Sequence, residues 1–234
     1  MDALTLQTTF QDLTTAHVAD ACLRLGVTVR CAPPTLRPVW AGIHVVGRAR
    51  PVRHVGSVDV FLEALGHAEP GDVLVVDNEG RSDEACVGDL VALEVARAGL
   101  AGIVIWGLHR DTAQLRTIGL PVLSLGSCPN GPERLDPQAV DALAWAGCGP
   151  HIVTGADVVL ADDDGVVFVP ADRAAEVAAV AARIRDTEER QAERMQAGTT
   201  LREQTRFDDY LAARERDGVT FRQHLRSLDA AIEE

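Results

Sequence analysis

The sequence predicts an α/β protein: a layered sandwich around a central, mainly parallel sheet, with a helical extension at its C-terminal end. Three observations predict it. Short valine- and isoleucine-rich runs, DVLVVD at 72–77, GIVIWG at 102–107 and PVLSLG at 121–126, alternate with segments of helical periodicity. The runs are apolar at almost every position, as strands covered on both faces are. Beyond about residue 199 the strand pattern gives way to segments rich in Arg and Glu.

The elements follow in order. Val18, Ala21, Cys22 and Leu25 recur at helical spacing behind Thr14 and Thr15, which can cap a helix that Gly26 ends. Residues 42–54, GIHVVGRARPVRH, alternate in part and carry Pro51, which predicts a strand near a sheet edge. A helix over 58–66 leads to the strand 72–77, and a polar loop, NEGRSDEACVG, leads to a helix over 89–99 that closes at Gly99. Only Glu94 and Arg97 are charged after Asp89, so this helix is expected to be covered on most sides. Strand 102–107, a short helix TAQLRTIG and strand 121–126 continue the alternation.

Residues 152–169 predict two strands joined at Asp164-Gly165. The three aspartates 162–164 lack the twelve-residue spacing and closing glutamate of a calcium loop, so they read as a solvated turn. A long helix then runs from Ala171 to about Ala197, with Val177, Val180, Ala181 and Ile184 on one face. About two further helices fill 199–234, giving a catalytic domain over 1–198 and an appendage.

Composition excludes several functions. The chain of 234 residues is 47% apolar and carries a formal charge of −13, with no strongly basic stretch, so no nucleic-acid partner is expected. All 22 basic residues are arginine. Schiff-base aldolases, lysine-anchored pyridoxal-phosphate enzymes and P-loop hydrolases all need a lysine, so carbonyl chemistry here would use a metal ion. Five cysteines without a C-x-x-C pair predict neither disulfides nor a zinc framework. With no apolar leader and no run long enough for a membrane span, a cytoplasmic protein without membrane contact is expected.

The chemistry is expected at the carboxyl ends of the strands, where ligands bind in open parallel sheets. His109, Arg110 and Asp111 stand at the end of strand 102–107, and Asp89 opens the preceding helix. Asp111 is a hard oxygen ligand suited to Mg²⁺ or Mn²⁺, Asp89 could hold a water of that ion, and Arg110 offers a planar fork to a keto or enolate oxygen. Free amides at the start of helix 89–99 could receive a carboxylate, so together the group would bind a 2-oxo acid. The competing reading is a surface ion pair with a helix cap, which is common for Arg-Asp at a strand end.

The ordered blocks HVADACLRLG, GDVLVVDNEG, GDLVALEVARAGLAGIVIWGLHRD, IGLPVLSLG and VVLADDDGVVFVP resemble the superfamily of the regulator of ribonuclease activity A over about residues 10–198. That superfamily includes the class II 4-hydroxy-4-methyl-2-oxoglutarate aldolases. The resemblance implies the family's swivelling β/α/β fold and a metal site marked by Asp-x20-Arg-Asp, which falls on Asp89, Arg110 and Asp111. By resemblance Asp111 contacts Mg²⁺ or Mn²⁺, Asp89 orients a metal-bound water, Arg110 binds the keto oxygen, and the amides near Leu90 and Val91 hold the carboxylate. It also implies a homotrimer or homohexamer in which, in some members, a neighbour's C-terminal helix supplies a glutamate toward the metal waters, best matched by Glu188 with Glu189 next to it. His109, where the family has small or aliphatic residues, is a candidate substrate contact. The function expected is a divalent-metal-dependent lyase of 2-oxo acids, cleaving a 4-hydroxy-2-oxo diacid to pyruvate or decarboxylating oxaloacetate. The alternative is a non-catalytic regulator that binds a ribonuclease.

Overall fold

The structure, a computed structural model, describes residues 1–228. The chain opens with α1 (Ala3–Phe10), a helix absent from the sequence reading, whose cap Asp2 accepts the Thr5 amide at 2.8 Å. Next comes α2 (Thr15–Arg24), where Thr14 and His17 form a reciprocal cap. Two short strands, β1 (Arg30–Cys31) and β2 (Arg37–Pro38), lead to β3 (Val45–Arg53), α3 (Asp59–Leu65) and β4 (Val73–Asp77). The polar loop after it contains β5 (Ala85–Val87), which precedes α4 (Asp89–Arg97), β6 (Gly102–Trp106), β7 (Leu108–His109), α5 (Thr112–Ile118) and β8 (Val122–Ser124). A hairpin, β9 (Trp145–Cys148) with β10 (His151–Thr154), and a second, β11 (Asp157–Asp162) with β12 (Gly165–Pro170), complete the strands. The helices α6 (Ala174–Gln196), α7 (Leu201–Gln204), α8 (Phe207–Asp217) and α9 (Phe221–Ser227) close the described chain. The end of the expected appendage, 229–234, lies outside the described residues.

The large sheet has the order β1-β12-β11-β3-β4-β6-β8-β2. The block β3-β4-β6-β8 is parallel, as predicted, and antiparallel strands extend it on both sides. Each parallel strand feeds two cores by simple alternation. Leu74, Val76, Ile103 and Ile105 face α3, α4 and α5, whereas Val73, Val75 and Val104 face the layer containing β9 and β10. A third core packs α1, α2 and α6 on the hairpin β11–β12. The full burial of β4 at every position follows from this double coverage.

Three expectations are corrected. β3 lies inside the sheet, between β11 and β4. The pairing with β11 stops at Arg48, so Pro51, opposite Val75, lies past the end of that ladder and its missing N–H breaks no bond there. In α4 only Ala92 and Val95 are buried, while Leu90 and Leu93 are 77% and 43% exposed, so the helix is covered by this chain on one side only. Residues 152–169 hold parts of three strands, and Asp162 pairs with Gly165, which places the two-residue turn at Asp163-Asp164. The aspartates there are partners in the fold: Asp162 accepts both the Thr15 amide at 2.8 Å and its hydroxyl at 2.7 Å, and Asp163 accepts the Gly42 amide at 2.8 Å.

Beyond Ile184 no residue of α6 is fully buried, and the short helices after it gather Phe207, Tyr210, Phe221 and His224 into an aromatic cluster of their own. None of the described helices is long and apolar enough to cross a membrane.

Candidate active site

The site grows from the parallel neighbours β4 and β6, whose last residues, Asp77 and Trp106, are in register. Both chains leave the sheet at the same rim. Gly107 then turns the chain tightly against the other loop: a Cβ there would come within 2.8 Å of Asn78 Cβ. The two-residue β7 pairs with β5, and the Arg110 amide closes this small ladder on the Val87 carbonyl at 2.9 Å. Residues 85–89 and 108–111 are thereby clamped side by side.

Asp111 follows in the left-handed region, with φ 58 and ψ 40. A non-glycine residue held there is strained by about 1–3 kcal/mol, a cost that persists where surrounding structure enforces it. Asp111 occupies the position that would cap α5, yet its side chain makes no cap bond. Its Oδ2 instead accepts the Asp89 amide at 3.3 Å and lies 3.5 Å from Arg110 Nε. The helix-cap reading of the Arg-Asp pair is therefore wrong, while the ion pair exists. Gly88 is what makes room, since a Cβ on it would stand 2.5 Å from Asp111 Oδ2 and 3.1 Å from Arg110 Nε. Asp89 Oδ1 accepts the Leu90 amide at 2.8 Å.

A cavity of about 120 Å³ opens beside this group, lined by Asp89, Leu90, Val91 and Arg110 and, across from them in the sequence, by His54, Gly56 and Cys86. Asp111 is not part of the wall; its Oδ2 lies behind two residues that are, Gly88 and Arg110. The structure thus brings Asp89, Leu90, Val91, Arg110 and Asp111 together. It does not bring His109. That imidazole is buried, its Nδ1 2.7 Å from Ser124 Oγ and its Nε2 3.0 Å from Thr112 Oγ1, and it lines a separate cavity with Arg37 and Arg116. Glu188, on α6, is bound within its own chain to His17 Nε2 at 3.2 Å and is absent from the cavity wall.

Among the described residues no group of three or more His, Cys, Asp or Glu side chains is assembled as a metal cage. What the rim offers is two carboxylates of hard oxygen character, one of them held in a strained residue and left unused as a cap. Mg²⁺ binds through one or two carboxylates and keeps several waters, so this donor set fits it or Mn²⁺.

Sequence reasoning missed His54, although the rim rule that selects Arg110 also selects it: His54 immediately follows β3 at its carboxyl end. Burial pushes its pKa below the ordinary histidine range. Behind it Arg134 Nε meets the nearly buried Glu84 Oε1 at 3.1 Å and fixes the floor of the loop.

Fold and rim together define an α/β protein that gathers an Asp-x20-Arg-Asp group at the carboxyl ends of parallel strands. The chain belongs to the RraA-like family: the family model, described as Aldolase/RraA, matches residues 15–168. It is 30% identical, over 58% of its length and 64% of the relative's, to a Halalkalibacterium halodurans protein provisionally named 4-hydroxy-4-methyl-2-oxoglutarate aldolase. It is 29% identical over 74% of its length to Protein DlpA of Legionella pneumophila, of which it covers 29%. The chain thus spans less than two thirds of the length of either curated relative. Among solved structures, Streptomyces coelicolor RraAS2, described as an unusual member of the RNase ES inhibitor RraA family, superposes with a TM-score of 0.72 at 30% identity, over 81% of this chain and 98% of that one.

Proposed function

We propose that the protein is a lyase of small 2-oxo acids that works with a bound divalent ion, cleaving a 4-hydroxy-2-oxo diacid to pyruvate, decarboxylating oxaloacetate, or both. The observation that carries this reading is the Asp111 carboxylate, held by a left-handed residue against Asp89 and Arg110, which line a small cavity. The similarity to the provisionally named aldolase supports the same class of substrate.

Asp111 would hold Mg²⁺ or Mn²⁺ directly and Asp89 through a water. When bound, the ion supplies Lewis-acid polarisation of a chelated carboxylate and keto group. Arg110 donates its fork to the keto oxygen, where negative charge grows as the neighbouring C–C bond breaks. The amides of Leu90 and Val91 receive the substrate carboxylate. Because the Leu90 amide is already held by Asp89 Oδ1, substrate binding exchanges one carboxylate acceptor for another and frees Asp89. With no lysine in the chain, no covalent imine route competes. In this proposal the working unit is a cytoplasmic trimer or hexamer in which Glu188 of a neighbouring subunit reaches the rim, the catalytic part spans 1–198, and residues 199–234 form a helical appendage. A screen of 2-oxo acids for pyruvate release, with and without Mg²⁺ or Mn²⁺, tests it; inactivity on all of them contradicts it.

The second reading, a regulator that binds a ribonuclease without catalysis, is supported by the likeness to RraAS2 over most of the chain. It makes a different prediction: Asp111→Ala would leave ribonuclease binding unchanged.

A further inference from the structure

His54 stands on the cavity wall with Asp89 and Arg110 and has no part in the mechanism above. It is 1% exposed and stacks on Phe61, with ring centroids 5.2 Å apart. Its Nδ1 lies 2.9 Å from Asn78 Oδ1, and the same oxygen accepts Arg134 Nη2 at 3.1 Å. An arginine can only donate, so the amide oxygen must be the atom facing both groups, and Nδ1 must carry the imidazole proton. The lone pair is then on Nε2. That nitrogen is buried and makes no hydrogen bond among the described residues, although the ring also lies against the Gly56 backbone, a contact that favours the protonated ring without outweighing its burial. Native proteins leave few such atoms unmatched, and one in the wall of a ligand cavity points to a donor that arrives with the ligand.

We propose that His54 is the proton acceptor of the site, Nε2 taking the proton of the substrate's 4-hydroxyl. The proposal rests on the lyase reading above. As the O–H proton passes to Nε2, the C3–C4 bond breaks, C4 becomes a carbonyl, and the bonding pair enters the C2–C3 enolate. The protonated His54 then returns its proton to C3, which gives pyruvate and restores the imidazole without any oxidant or reductant. The charged and titratable groups facing the ring are Glu84 and Arg134, of opposite sign, with Cys86 on the same wall. Burial outweighs them and keeps the ring neutral and able to accept.

The test compares wild type and His54→Gln on a 4-hydroxy-2-oxo diacid and on oxaloacetate, whose decarboxylation removes no hydroxyl proton. General-base catalysis contributes about 10²–10⁴-fold, so kcat for aldol cleavage should fall by that order, at least tenfold more than kcat for decarboxylation, and the acid limb of its pH profile should vanish. Equal effects on the two reactions, or none, overturn the role of His54 and leave the lyase reading standing. Wild-type protein inert on both substrates with Mg²⁺ and Mn²⁺ overturns both. A readout independent of turnover and of variant folding is ¹⁵N NMR of the metal-free wild type: Nδ1 protonated and Nε2 bare at pH 7 is expected, and the opposite tautomer refutes the proposal.

Discussion

Asp111 Oδ2 accepts the backbone amide of Asp89 at 3.3 Å, joining residues 22 apart in the chain. The contact depends on three local features: the β5–β7 ladder that lays the segments side by side, the left-handed Asp111 backbone, and the bare Cα of Gly88. Each can be altered separately.

Gly88→Ala should leave the fold intact, because the backbone there is extended, at φ −123, and any residue adopts it. The new methyl would collide with Asp111 Oδ2 and press on Arg110 Nε. Calorimetric titration with Mn²⁺ should show affinity lowered tenfold or more at unchanged melting temperature. Wild-type affinity would mean that the Asp111 carboxylate does not hold the ion.

Asp111→Gly and Asp111→Ala should both abolish ion binding and yet differ in stability. Glycine enters the left-handed region freely and alanine does not, so the glycine variant should be more stable by about 1 kcal/mol. Denaturant unfolding of the pair measures the difference; equal stability would show that the Asp111 backbone carries no strain.

Stability should fall in mild acid. Burial lowers the pKa of both His54 and His109. In the unfolded chain these imidazoles bind protons near pH 6.5, whereas in the folded chain they bind them only at lower pH. Their contribution is therefore complete above about pH 6.5 and is lost as pH falls from there toward the folded values. Denaturant midpoints measured against pH should show this decline, and His109→Gln should make it shallower. A midpoint that rises on acidification would contradict the assignment.

The strands and the rim were legible in the sequence because both rest on local pattern. Continuous apolar runs mark β4 and β6, and their shared direction places Asp89, Arg110 and Asp111 on one edge. The orientation of His109 was not legible. Gly107, at φ 159, is followed by a new two-residue ladder, so side-chain alternation cannot be counted across it from β6, and His109 turns to Ser124. Pro51 misled for a related reason: it lies past the end of one ladder inside the sheet, which a sequence cannot tell from an outer edge. The free Nε2 of His54 depends on Asn78 and Arg134, 24 and 80 residues away, and no spacing rule joins those three.

The most direct test of the central claim is the protein-dependent rate of pyruvate release from a 4-hydroxy-2-oxo diacid and from oxaloacetate, measured for wild type and Asp111→Ala with Mg²⁺ or Mn²⁺ and again after a chelator. Wild-type turnover that the chelator abolishes and either ion restores is expected, with a folded Asp111→Ala protein that stays inactive at every ion concentration. Turnover that survives the chelator, or an Asp111→Ala protein as active as wild type, would contradict it.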